Sequence, residues 1–475
     1  MLLLDEIIKA TGGRVLTKGP SSFKSLSIDS RTIKDGEIFL AIKGQRFDGH
    51  DFIDEALKKG DGAIISEDLG LKSKAFRVGE PKTIILVKDT FKALQAIATF
   101  LRKERIKVLI GITGSNGKTT TKEMLFHILS YNASVIKNEG NLNNEIGLPL
   151  SLIRQSSGHE DLIDYGIFEM GASRPGDIRV LSEISRPDYG VITSIGHAHL
   201  EGMGGIEGVF KTKTEIGDFV RVLFINGDDE TRHGSLGMSL RKDLSCIRFG
   251  LSDGCDVRAQ EIALYEGYST YMLDARLKLK DLNLKVPVRL NLPGMGNIYN
   301  SLASISVALY LGIPVEIIKR GLEDFRGVKM RLEIKEKDGA RFIVDAYNAN
   351  PDSMRNAIYE LMRFRKTRAI AVLGDMLELG PYSEALHREL GRFLYEAGVD
   401  VFIGVGAQMR WAYEEFLSLS KASKVRKEVE GFITEDIDVA RHRLHAIIKP
   451  HDTVLVKGSR LMAMERILEE PEHAR

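Results

Sequence analysis

Val108-Leu-Ile-Gly-Ile-Thr-Gly-Ser-Asn-Gly-Lys-Thr-Thr120 runs from an apolar strand pattern through a glycine-rich turn into a helix pattern that reaches about Ser130. This is the layout of a phosphate loop. Glycines let the backbone curl so that its N–H groups and the helix N-terminus face a polyphosphate, Lys118 supplies a cation, and the Thr119 hydroxyl can ligate magnesium. Counting back from Gly117, the first glycine of the common pattern would fall on Ile112, so the loop is a shortened form that begins at Gly114. Gly114, Ser115, Asn116, Gly117, Lys118, Thr119 and Thr120 are therefore expected to bind ATP or GTP.

Outward from this loop, apolar strands recur at Tyr165 to Phe168, Tyr189 to Thr193 and Val222 to Ile225, separated by helix-length segments. Such alternation predicts a mostly parallel sheet covered on both faces. A second series at Phe342 to Asp345, Ala369 to Leu373, Val399 to Gly404 and Thr453 to Val456 predicts a Rossmann-like doubly wound unit. Between them, Cys255 to Val288 alternates apolar and polar residues and reads as antiparallel strands appended to the central unit. The first eighty-odd residues mix short patterns around turns at Thr11 to Gly13 and Lys18 to Ser22, which predicts a small α+β domain. The fold class is thus α/β in three domains, with expected limits 1–84, 85–325 and 326–475. A chain of 475 residues is too long for one core, in keeping with this division.

Lysine plus arginine (67) and aspartate plus glutamate (66) nearly cancel, so nothing in the overall charge favours a nucleic-acid partner. Cys246 and Cys255 lack the spacing of a zinc site and cannot build a disulfide framework, which predicts free thiols in a reducing compartment. Met1 to Lys9 has no basic start followed by a long apolar run, and no stretch approaches the roughly 20 apolar residues of a membrane span. A cytoplasmic protein is expected, without membrane insertion and folded throughout except for its last few residues.

Glu169 and His199 follow two of the central strands, where a parallel sheet opens on the same crevice as the loop. Both can ligate magnesium. Read singly, Glu169 could be a solvated strand-end carboxylate, and His197 an exposed neighbour of His199.

Gly114 to Thr120 together with Glu169 and His199 resemble the ATP site of the Mur ligases, and the resemblance extends over nearly the whole chain. Asn138-Glu-Gly-Asn-Leu-Asn-Asn-Glu145, Asp345-Ala-Tyr-Asn-Ala-Asn-Pro351, Val372-Leu-Gly-Asp-Met-Leu-Glu-Leu-Gly380 and Val456-Lys-Gly-Ser-Arg460 look like the family member that adds D-alanyl-D-alanine. The resemblance implies an ATP-dependent ligase that joins this dipeptide to UDP-N-acetylmuramoyl tripeptide through an acyl phosphate, acting as a monomer. It assigns the first domain to the UDP substrate, the central one to ATP, and the third to the dipeptide and to closure over ATP.

By the same resemblance, Ser30 and Arg31 hold the UDP moiety, and Asn141, Asn143 and Asn144 face the muramoyl end. Asn297, Arg331 and Asp345 contact ATP, while Asn348, Asn350 and Ser353 lie beside the dipeptide. Two magnesium ions are implied on Thr119, Glu169, His199 and Lys211, the last as a carbamate formed with carbon dioxide. Lys213, two residues on, is expected to point elsewhere. Catalysis is assigned to Lys118, Glu169, His199 and Lys211. Gly296 stands where the family has a histidine, which leaves that histidine's contact without a counterpart. Taken singly, Asp29-Ser-Arg31 is a polar turn, the asparagine cluster is turn-forming, Asn297 is a helix cap and Lys211 is a surface lysine. Three other functions share the loop: a Mur ligase that adds the third amino acid, a folylpolyglutamate synthase-like ligase, and an ATP-dependent switch.

Overall fold

The computed structural model describes residues 1–44, 46–67, 81–159, 161–229, 240–422 and 429–469. The expectation for the last few residues falls outside these ranges.

A nine-stranded sheet organises the centre of the molecule. Its strands are β1 (Ile106–Thr113), β2 (Val135–Lys137), β3 (Ile163–Glu169), β4 (Tyr189–Ile192), β5 (Val222–Asn226), β6 (Ser245–Gly250), β7 (Val257–Leu264), β8 (Ser269–Leu277) and β9 (Leu282–Leu290). Their spatial order is β9-β8-β7-β6-β5-β4-β1-β3-β2. Pairing is parallel from β2 to β7 and antiparallel through β7, β8 and β9. The appended hairpins therefore extend the same sheet, and alternate residues of β9 are exposed, as in a sheet with one wet face.

β1 carries apolar residues on both faces. Ile110 and Ile112 pack with Met124, Leu125 and Ile128 of α1 (Lys118–Leu129), while Leu109 belongs to the core on the other side. That two-sided burial is why the strand reads as a continuous apolar run rather than an alternation. Its neighbours β3 and β4 lie on opposite sides of it, and their ends are level: Glu169 pairs with Ile112, and Ile192 with Thr113. The strand order reverses at β1, which opens a crevice beyond the carboxyl ends, directly over the glycine-rich loop.

The third unit is a six-stranded sheet of β10 (Glu333–Lys337), β11 (Ala340–Asp345), β12 (Ala369–Gly374), β13 (Val401–Val405), β14 (Glu430–Thr434) and β15 (Thr453–Lys457), in the order β10-β11-β15-β12-β13-β14. Only the β10–β11 hairpin is antiparallel. The first unit is a smaller sheet of Arg14–Thr17, Thr83–Val87, Gly62–Ser66, Glu37–Leu40 and Ser25–Ser27. The strand Thr83–Val87 straddles the expected limit at 84 because it pairs along its whole length with Gly62–Ser66. Among the described residues, no helix is long and apolar enough to cross a membrane.

Candidate active site

The loop between β1 and α1 takes its shape from two glycines at positive φ, Gly114 (142°) and Gly117 (83°). Side chains there are excluded twice over, since a Cβ on Gly114 would lie 2.1 Å from Thr193 Oγ1 and one on Gly117 2.2 Å from Asn300 Oδ1. The segment after β4 cradles the loop. Ser115 N–H donates to Ser194 O (2.8 Å), Asn116 N–H to Ser194 Oγ (3.0 Å), and Ser115 Oγ to Gly196 O (3.0 Å).

Lys118 bends back over this loop and donates to Gly114 O (2.8 Å) and Ser115 O (3.3 Å). Burial holds its pKa below the usual lysine value, with Glu169 opposing the shift. Thr119 Oγ1 donates to Glu169 Oε2 (2.7 Å) and accepts from Arg331 Nη2 (2.9 Å). Burial works against the Glu169 charge, but Lys118, the Thr119 hydroxyl, Lys122 and Arg331 together keep its pKa below normal. Asn143 Nδ2 donates to the other carboxylate oxygen at 2.9 Å.

These groups face a cavity of about 740 Å³ whose walls come from both the central and the third units. Ser115 to Thr120, Glu169 and His199 line one side, and Arg331, Asp345, Asn348, Asn350 and Ser353 the other. Asn297 and Asn300 of α4 (Met295–Tyr310) close one end. A Cβ built on Gly296 meets nothing within 4 Å, so the wall beside Asn297 stays open where a histidine would otherwise project. Asp345 is held by Lys457 Nζ at 2.5 Å, and the Arg331 guanidinium lies 4.3 Å from the Tyr347 ring centre. His199 Nδ1 touches Glu378 Oε2 across the divide.

Two of the residues expected beside the dipeptide do other work. Asn350 caps α5 (Pro351–Phe364) by accepting from Ser353 N–H (2.9 Å), and Ser353 Oγ in turn accepts from Asn350 N–H (3.0 Å). The Asn350 amide also pairs reciprocally with Asn116 of the phosphate loop (2.9 and 3.3 Å). These residues fasten the third unit to the loop, and only Asn348 keeps an exposed side chain. His197 adds a second fastening through Asp352, its N–H donating to Oδ2 at 2.8 Å. A double-mutant cycle on Asn116→Ala and Asn350→Ala should therefore give a coupling of about 1 kcal/mol in apparent ATP affinity. Additive effects would mean that the amide pair does not hold the two units together.

Ser30 and Arg31 lie outside this cavity. Ser30 Oγ donates to Glu55 Oε2 (3.1 Å), and Arg31 grips Asp29 (2.9 and 2.7 Å), holding that carboxyl down to about 2. They are linked to the cavity by α2 (Gly147–Ser157). Asn144 caps its start by accepting from Gly147 N–H (2.7 Å), and Arg154, farther along, donates to Leu26 O (3.2 Å). From Gly147 to Arg154 the helix rises about 10 Å. Of the asparagine cluster, Asn143 and Asn144 are committed to Glu169 and this cap, whereas Asn141 is exposed to the cavity.

The expectation for Lys211 does not hold. On α3 (Ile206–Thr214) Lys211 is exposed whereas Lys213 is fully buried, and neither is among the residues that line the cavity. Burial and the neighbouring Lys118 charge pull the Lys213 amine down to about 7, against Asp177, Glu169 and Glu215. A signal was present in the sequence, because Lys213 sits four residues after the buried Val209 and so shares its helix face.

Family models match this chain in three segments: a Mur ligase middle domain at residues 112–308, a Mur ligase glutamate ligase domain at 330–460, and a Mur ligase family catalytic domain at 22–102. The chain belongs to the Mur ligase family. Among its relatives, a UDP-N-acetylmuramoyl-tripeptide–D-alanyl-D-alanine ligase from Treponema pallidum is 34% identical, with 98% of each chain covered. The enzyme of the same name from Bacillus subtilis is 32% identical over 94% of this chain and 92% of its own. A crystal structure of MurF from Acinetobacter baumannii superposes with a TM-score of 0.84 at 31% identity, covering 98% of both chains. The MurF ligase from Thermotoga maritima, solved in complex with ADP, gives 0.78 at 32% identity, covering 94% of this chain and 97% of that one.

One further element of this Mur ligase escaped sequence reasoning. His387 is completely buried behind the loop that follows β12, where its Nε2 accepts from Met376 N–H (3.2 Å) and its Nδ1 bonds Ser383 O (2.8 Å). Burial holds its pKa below the ordinary 6.5. Between the folded and unfolded pKa values the unfolded chain binds the extra proton, so stability is present above pH 6.5 and declines as pH falls below it. Thermal melts should show stability falling as the pH drops below 6.5, and His387→Gln should remove the part of that fall that comes through this group. An unchanged pH dependence in that variant would assign the effect elsewhere.

Proposed function

We propose that this Mur ligase joins D-alanyl-D-alanine to the terminal carboxylate of UDP-N-acetylmuramoyl tripeptide, converting ATP to ADP and phosphate. The observation that carries this reading is the single cavity in which the phosphate loop, the Thr119–Glu169 pair and the third unit's Arg331, Asp345 and Asn348 meet. The full-length similarity to relatives of that name supports the choice of substrates.

The tripeptide carboxylate oxygen attacks the γ-phosphorus, and the bond from that phosphorus to the β–γ bridging oxygen breaks, giving ADP and an acyl phosphate. Both reactants are anionic, so cations must screen the approach. Lys118, now bonded to the loop carbonyls, is placed to move onto the phosphate oxygens, and Arg331 stands beside Thr119 as a second positive group. The dipeptide's ammonium gives up one proton to solvent, the neutral amino nitrogen then attacks the acyl carbon, inorganic phosphate leaves, and the nitrogen sheds one further proton to become the amide. Water would destroy the acyl phosphate, and the Asn116–Asn350 and His197–Asp352 contacts hold the third unit against the central one, which restricts access to the cavity.

Thr119 and Glu169 also suit magnesium, since they are adjacent hard oxygen donors beside the phosphate loop. Among the described residues no three or more His, Cys, Asp and Glu side chains cluster to cage a metal by themselves. When bound, magnesium supplies charge neutralisation at the transferring phosphoryl group. We assign two ions, with His199 and a carbamate as further ligands, and move the carbamate from Lys211 to Lys213. Carbon dioxide reacts only with a neutral amine, and the Lys213 amine, pulled down to about 7, supplies that form.

In the division proposed here, residues through Val87 hold the UDP moiety with Ser30 and Arg31, those up to 325 hold ATP with Asn297, and 326–475 receive the dipeptide. The enzyme acts as a cytoplasmic monomer. Phosphate release with each substrate alone and with both together tests the reading. Release that requires both, with a UDP-muramoyl pentapeptide as product, is expected. Release with the tripeptide substrate and a single amino acid would overturn the acceptor assignment.

A further inference from the structure

Two charged side chains on the cavity wall, Glu378 and Arg460, take no part in the steps above. Glu378 sits in the loop after β12 at φ +62°, a left-handed conformation that glycine adopts freely and glutamate does not. The strain persists because the loop is pinned throughout. The Asp375 carboxylate accepts from Met409 N–H (2.7 Å), Met376 N–H bonds His387, Leu377 N–H donates to Ser459 Oγ (2.8 Å), and Glu378 O accepts from Glu201 N–H (3.1 Å). A strained residue so anchored is the pattern of a functional position. The Glu378 side chain is 58% exposed at the cavity wall, and its one contact there is with His199.

Arg460 follows Ser459 directly. Its side chain is half-exposed on the same cavity wall and bonds Glu465 at 2.7 Å, away from Glu378 in the chain. The Leu377–Ser459 hydrogen bond thus joins the two residues that immediately precede the two charges. One carboxylate and one guanidinium are thus presented to the cavity from adjacent backbone segments of the third unit. Asn350 and Ser353 are committed to capping α5, and among the charged groups on the cavity wall Glu378 and Arg460 are a carboxylate and a guanidinium whose backbones adjoin.

We propose that Glu378 receives the ammonium group of the acceptor dipeptide and Arg460 its carboxylate, so that the pair selects a zwitterionic acceptor. Arginine suits a terminal carboxylate because its planar fork can bind both oxygens. The inference rests on the acceptor being the dipeptide proposed above.

The test is steady-state kinetics of the full-length enzyme with D-alanyl-D-alanine, its C-terminal amide as an alternative acceptor, and N-acetyl-D-alanyl-D-alanine as an inhibitor. Glu378→Gln should raise the KM for the dipeptide by about tenfold or more, leave the KM for ATP and for the UDP substrate within twofold, and abolish the discrimination against the N-acetyl compound. Arg460→Met should raise the KM for the dipeptide by a similar factor but not that for the amide. Glu378→Gly, which suits the backbone, should melt no lower than wild type and share the KM defect. Unchanged KM values, an equal loss with the amide, or normal dipeptide binding by Glu378→Gly would each overturn the proposal. Wild-type enzyme that forms no product with D-alanyl-D-alanine would instead sink the proposed reaction itself.

Discussion

Lys118→Ala should lower turnover by about a thousandfold while leaving the melting temperature within a few degrees of wild type. The amine is buried among the loop carbonyls and close to Glu169, and burial already depresses its pKa, so the folded state gains little from it as a cation. Its value lies in the transition state, where negative charge spreads over the γ-phosphoryl oxygens in a site with little water to screen it. The loop's shape does not depend on this side chain, because Gly114, Gly117 and the cradle of Thr193 to Gly196 set it. ADP affinity should therefore fall far less than turnover. A loss of tenfold or less in ADP formation with both co-substrates present would remove Lys118 from the chemistry.

The second large effect separates two lysines on one helix turn. Lys213→Ala should lose about a hundredfold or more in turnover, and short-chain carboxylic acids should restore part of it by occupying the place of the carbamate. Lys211→Ala should stay within about twofold, as exposed substitutions away from a site do. Lys211 faces solvent, whereas Lys213 is enclosed with Lys118, Glu169, Asp177 and Glu215. The reverse ranking of the two variants would restore the original assignment. Full activity in both would dispose of the carbamate.

Much of this was legible in the residues. The strand–loop–helix at Val108 to Ser130 named the phosphate site because its chemistry is local: glycines, a lysine and a threonine in sequence order. Glu169 and His199 followed from a topological rule, since strand ends in a parallel sheet share a crevice. Lys213 is expected to point elsewhere because it lies two residues from Lys211 on a helix, and only packing shows that α3 turns the Lys213 face inward. Asn350 and Ser353 were given to the substrate because sequence cannot show whether a polar side chain is already bonded, and here a capping box and the Asn116 pair engage them. His387 was silent for a related reason, and Glu378, although inside the string Val372 to Gly380, gave no sign of its backbone strain. A strained backbone angle and a buried imidazole are products of tertiary structure, and neither leaves a local pattern.

Isotope transfer tests the acyl phosphate most directly. The UDP-N-acetylmuramoyl tripeptide is prepared with ¹⁸O in its terminal carboxylate and turned over with ATP and D-alanyl-D-alanine, and the released phosphate is weighed by mass spectrometry. If the carboxylate oxygen attacks the γ-phosphorus and later leaves with it, each phosphate carries one labelled oxygen and each pentapeptide keeps one. Phosphate free of label, with both labelled oxygens still in the tripeptide carboxylate, would contradict the account, since the cavity would then only hydrolyse ATP.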